Sequence, residues 1–140
     1  MVNKNRLIIG GIAAGVVQFF LEGIVNTPIL GADWQAWAQQ MGSAVPHPSI
    51  GFSMACWAIQ SVMLGIIGVW IYVALRARCG AGPKTAICAG GTLWLASWGS
   101  CFLNAMAIGD IPCKITTVNF VAGLPVALLS VLVGAWLYRE

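Results

Sequence analysis

Glu22 is the one acid that the sequence places inside a long apolar stretch, and its neighbours at helical spacing are polar or very small. Over Gly11 to Asn26, GIAAGVVQFFLEGIVN, a helix brings Gly11, Gly15, Gln18, Glu22 and Asn26 onto one face, each three or four residues from the next. A carboxyl group in hydrocarbon is costly, so it turns toward the bundle interior or a water cavity and takes a partner. Gln18 and Asn26 lie one turn to either side, and Gln60 and Asn104 are the amides that other helices can bring across. Two chemistries fit this cluster. One is a protonatable or cation-binding site at Glu22; the other is a structural polar cluster that holds helices together.

Other chemistry is poorly served. His47 is the single histidine, set between Pro46 and Pro48, which excludes a bis-histidine haem within one chain. The five cysteines match no zinc or iron–sulfur spacing and include no Cys-x-x-Cys pair. Cys101 with Cys113 is the one combination placed for a disulfide on the outer side. There is no glycine-rich phosphate loop and no nucleophile–base pair, so no catalytic residue is assigned; a lipid-modifying activity is the one enzymatic class left open. Trp34, Trp37, Trp57 and Trp98 fall near the outer interface as anchors, while Trp70, Trp94 and Trp136 fall deeper or toward the inner side. Indoles also pack on flat ligands, so a bound lipid, quinone or pigment suits them, but the sequence specifies no cofactor.

The elements that must position these residues are membrane helices. The chain has 140 residues, 59% hydrophobic and 8% charged, against about a quarter charged in soluble domains. Four apolar segments consume it as a single integral membrane domain: spans over about 7–26, 50–75, 85–107 and 116–138. The first is too long for a signal peptide, is interrupted by Glu22, and lacks a small-x-small cleavage site. Thr27-Pro28 should end it, since proline lacks a donor and restrains the residue before it. A short amphipathic helix over about 33–41 follows, with Asp33 as its cap and Gly42 as its end. It lies either in the outer headgroup region or folded onto the loops of the bundle. Pro125 should kink the fourth span.

Charge sets the topology. Lys4, Arg6, Arg76, Arg78, Lys84 and Arg139 fall on one side and only Lys114 on the other, which puts both termini in the cytoplasm. So small a basic cluster suits anionic headgroups and not nucleic acid. Packing rows point the helices inward: Gly11-x-x-x-Gly15 in the first span, and Asn119, Gly123, Ala127, Ser130 and Gly134 in the fourth. A faint repeat of two hairpins is visible. Gly10-Gly11 echoes Gly90-Gly91, Leu21-Glu22 echoes Leu103-Asn104, and Gly68-Val-Trp70-Ile-Tyr72 echoes Gly134-Ala-Trp136-Leu-Tyr138. On that register Glu22 and Asn104 are equivalent.

The Gly10-Gly11-x-x-Ala14-Gly15 opening, an acid in the same helix and a tryptophan-bearing outer segment resemble a group of small uncharacterised bacterial four-span membrane proteins. The resemblance covers Leu7 to Gly42, implies a bacterial inner-membrane protein and carries no site. In outline, four spans with a buried acid in the first are also similar to the small multidrug transporters, whose loop between the first two spans is much shorter. The expectation is therefore an all-α, four-span bundle, N-in and C-in. It acts as a non-catalytic accessory or structural subunit that assembles with itself or other membrane subunits through apolar and aromatic faces. The alternative is a small proton- or cation-coupled transporter using Glu22, which demands a cavity reaching that residue.

Overall fold

A computed structural model describes residues 3–42 and 48–138; Pro46, His47 and Arg139 lie outside them. Four helical segments are long and apolar enough to cross a membrane: Lys4–Ile29, Ile50–Cys79, Pro83–Ile108 and Cys113–Leu137. The first is α1 (Lys4–Ile24), capped by the Asn3 side chain accepting from the Arg6 N–H, and it continues into a π turn, Val25–Ile29. After α2 (Gly31–Met41) comes α3 (Ile50–Cys79), capped by Ser49, whose hydroxyl accepts from the Phe52 N–H at 3.4 Å. The third span is α4 (Pro83–Trp94), a second π turn (Leu95–Gly99) and α5 (Ser100–Ile108), which stops at Gly109 in the left-handed region (φ 76°). Last is α6 (Cys113–Leu137), unbroken through Pro125.

Several sequence expectations are corrected. Thr27-Pro28 does not end the first span. Pro28 sits inside the π turn, whose wider loop accommodates a residue without an N–H, and Asn26 Nδ2 donates to the Glu22 carbonyl oxygen at 3.1 Å. Asp33 does not cap α2, which starts at Gly31; its carboxylate instead meets Lys114 Nζ at 2.8 Å. Of the two placements for this short helix, the one folded onto the bundle is found, because Trp37 Nε1 also donates to the Asp110 carbonyl oxygen at 2.7 Å. The fourth span starts three residues before Thr116, at Cys113, and Cys101 and Cys113 are both free thiols.

Small residues close the half of the bundle that holds Asn3 and Tyr138. A Cβ on Gly15 would lie 2.6 Å from Val62 Cα, and one on Gly65 would collide with the backbone of Gly11 and Gly15, so α1 and α3 touch backbone to backbone. Gly10 meets the Gly134 carbonyl oxygen in the same way and draws α6 against α1. Around these approaches packs a core of Ala14, Val69, Tyr72, Ala86, Ala89, Leu93, Val131, Ala135 and Tyr138. The two ends of the chain meet here as well: the Asn3 N–H donates to the Tyr138 hydroxyl oxygen at 3.2 Å, and Arg76 stacks over the Tyr138 ring.

Contacts change toward the other end. α1 packs on α3 and α6, α4 packs on α3 and α6, and α3 touches α6 between them. Above α4 the third span keeps its contact with α6 through the π turn and α5, but among the described residues α3 makes no comparable contact with either. The bundle is closed at the end that holds Asn3 and Tyr138 and parted at the opposite end.

Candidate functional site

The parting leaves a cavity of about 660 Å³ in the half of the bundle away from Asn3 and Tyr138. Its walls come from seven elements. α1 supplies Phe19, Phe20 and Glu22; the first π turn supplies Asn26, Thr27 and Pro28; α2 supplies Trp34. Opposite stand Met54, Trp57 and Gln60 of α3, Trp98 of the second π turn, Cys101, Phe102 and Ala105 of α5, and Thr116, Asn119 and Phe120 of α6. Both π turns thus deliver side chains into one space, a position such turns often occupy at functional sites. Among the described residues seven aromatic side chains line it, and Glu22 and the Cys101 thiol are its only ionisable groups.

Glu22 is held from below and positioned from its own helix. Gln18, fully buried one turn toward the membrane centre, donates from Nε2 to a Glu22 carboxyl oxygen at 3.1 Å. Asn26 is spent on two bonds: its amide donates to the Glu22 carbonyl, and its Oδ1 accepts from Trp34 Nε1 at 3.1 Å. That indole bond ties α2 over the top of the cavity. The Asp33–Lys114 pair and the Trp37–Asp110 bond hold the same helix to the segment leading into α6. The Trp34 and Trp37 rings meet edge to face at 5.7 Å.

The opposite wall is an aromatic column. Trp94 Nε1 donates to the Phe120 carbonyl oxygen at 2.8 Å, and the Phe120 ring lies 4.6 Å from Trp94 and 4.8 Å from Phe102. The Trp98 indole lies flat on Gly123, where a Cβ would come within 2.6 Å of the ring, so this glycine makes room for a cavity wall. Ser130 and Gly134, further along the same row, are buried among the helices, and the Ser130 hydroxyl donates to the Val126 carbonyl oxygen at 2.7 Å. Two fully buried polar atoms, Gln18 Oε1 and Ser61 Oγ, have no hydrogen-bond partner among the described residues.

The polar cluster read from the sequence is therefore brought together in part. Gln18, Glu22 and Asn26 are linked on α1, and Gln60 faces the same cavity from α3. Asn104 is not brought to Glu22; it is exposed on α5 and lies outside the cavity lining. The physical cause is the second π turn, which inserts an extra residue and rotates all that follows by about 100° on the helix. Phe102 and Ala105 face inward in its place. Sequence reasoning also missed Asn119 as a cavity residue; it lines the space while its Nδ2 donates to the Ile115 carbonyl oxygen. Its place in the inward row with Gly123 was the available signal. Of the tryptophans, Trp34, Trp57 and Trp98 line the cavity, and Trp37 lies outside it against the outer loop.

The chain matches no protein-family model, no curated protein and no solved structure.

Proposed function

We propose that the protein is a small carrier of the bacterial inner membrane that takes a ligand into the outer-half cavity and couples its movement to a proton or cation held at Glu22. The observation that carries this reading is the cavity itself: about 660 Å³, lined by aromatic rings, and reached by a single acidic side chain. A carboxyl group facing such a space serves as an exchangeable site because its occupant enters without unfolding the bundle. The basic residues Lys4, Arg6, Arg76, Arg78 and Lys84, all at the end where Asn3 meets Tyr138, support placing that end in the cytoplasm and the cavity toward the opposite side.

A tandem pair of hairpins supports movement of one half against the other. In each hairpin the same trio plays the same part: Gly68 and Gly134 are buried, Trp70 and Trp136 face outward, and Tyr72 and Tyr138 return to the core. Halves related along the membrane normal can rock about the glycine contacts at the inner end.

The test uses purified protein in liposomes loaded with a pH-reporting dye and challenged with cationic, neutral and anionic amphiphiles. At least one class should drive proton movement in the natural protein, and Glu22→Gln, melting at the same temperature, should support none. Equal movement with Glu22→Gln, or none with either protein, would sink the coupling.

A second reading, an accessory subunit assembling with itself or a larger membrane complex, is supported by Trp70 and Trp136, 59% and 60% exposed on outward faces. Native mass spectrometry from mild detergent separates the two. Co-purifying chains, or a stable homo-oligomer at a multiple of 14.8 kDa, favour the subunit; a monomer favours the carrier.

A further inference from the structure

We propose that the cavity takes an amphiphile dissolved in the membrane, with a flat apolar body and an ammonium head that donates hydrogen bonds, and admits it sideways between α3 and α5. The inference rests on reading the cavity as a ligand site and names what that site selects.

Charge decides the head group. Among the described residues no lysine, arginine or histidine lines the cavity, and the nearby cation, Lys114, is already held by Asp33. An anion therefore meets an acid and no counter-charge. Donors and acceptors point the same way. The Trp34 N–H, both ends of the Asn26 amide and the Asn119 Nδ2 are engaged within the protein, and the Thr116 hydroxyl donates to the Pro112 carbonyl oxygen. What remains is the Glu22 carboxyl, beside the neutral amides of Gln60 and Asn119, which can donate as well as accept, so the preference for a positively charged donor rests on the acid. Aromatic faces add to the preference, since ring quadrupoles attract a cation and flat rings stack on a flat body.

The route follows from the parted helices. Met54 and Trp57 line the cavity and are 43% and 49% exposed, so this part of the α3 wall is not covered by a neighbouring helix. Facing them across the gap, Cys101 on α5 is exposed and also lines the cavity. Above, α2 closes the space through its three ties. Glu22 stands about 8 Å from the centre of the first span at 1.5 Å per residue, the depth of acyl chains and not of bulk water. A ligand that reaches this depth laterally keeps its apolar body in lipid until its head meets the carboxyl group.

The test is a matched series, 1-pyrenemethylamine, 1-pyrenemethanol and 1-pyrenecarboxylate, titrated into the full-length protein in phosphatidylcholine nanodiscs. Energy transfer from tryptophan to pyrene reports occupancy. The amine should saturate at about tenfold lower concentration than the alcohol, the gain expected of one charge-assisted hydrogen bond, and the carboxylate should bind weakest. Glu22→Gln should bring the amine to the level of the alcohol, and Ala105→Phe, which fills the cavity, should weaken all three. If the alcohol or the carboxylate matches the amine in the natural protein, the ligand class is overturned while the cavity stands as a site. If no transfer saturates, or Ala105→Phe changes nothing, the site and the class fall together. The comparison within the natural protein decides the class even where Glu22→Gln fails to fold.

Discussion

At the scale of single residues, the absence of a side chain matters as much as its chemistry. Gly15 has Val62 Cα where its own Cβ would stand, at 2.6 Å, and neither backbone can retreat without opening the α1–α3 contact. Gly91, one residue beyond a buried neighbour, has nothing within 4 Å. Gly15→Val should therefore lower stability by about 1–3 kcal/mol, whereas Gly91→Ala should stay within about 0.5 kcal/mol of the natural protein. Melting in detergent, followed by size-exclusion chromatography of heated samples, checks both; equal effects would remove the close approach as the cause. The same contrast explains what could be read in advance. Gly11, Gly15, Gln18, Glu22 and Asn26 share a face on an unbroken α-helical register, and α1 keeps that register through Ile24. Asn104 was misplaced because its register passes through Leu95–Gly99, where nothing in the local sequence announces a π turn.

Elements are where proline was misleading. Thr27-Pro28 carries a helix-ending signal, yet the segment runs on, because the π turn absorbs Pro28 and the Asn26 side chain serves a backbone carbonyl there. Propensity describes the chain by itself; here tertiary contacts to α2 favour another outcome. Those contacts are weak one at a time. Lys114 is 67% exposed and Asp33 28%, so their ion pair contributes little to global stability. Its effect should be local. Lys114→Glu, which puts two acids together, should leave melting nearly unchanged but speed amide hydrogen exchange across 31–41 by about threefold or more, and adding Asp33→Lys should restore the slow rate. An exchange rate indifferent to both changes would mean that the Trp34–Asn26 and Trp37–Asp110 bonds hold α2 without the ion pair.

For the whole molecule, four apolar spans were plain from length and composition, whereas the cavity was not, since it depends on where helices part. Glycine contacts fix the inner end, two π turns redirect the first and third spans above it, and α3 leaves α5. A space formed this way opens toward lipid if α2 seals the top and toward water if it does not. Cys101 distinguishes the two, being a cavity-lining thiol among free cysteines that are all exposed and so replaceable. In proteoliposomes, single-cysteine proteins retaining Cys101, Cys88 or Cys113 would be labelled with a sulfonated maleimide and with a membrane-soluble one. The thiolate is the reactive species and needs water near it. Cys113, at the outer end of α6, should take the sulfonated reagent readily. Cys88, on the outward face of α4, should react slowly with both. Cys101 should react with the membrane-soluble reagent faster than Cys88 and resist the sulfonated one, because the cavity is polar at Glu22 yet entered from the side. Labelling of Cys101 by the sulfonated reagent at the rate of Cys113 would instead put the mouth beneath α2 and make the aqueous phase the source of the ligand.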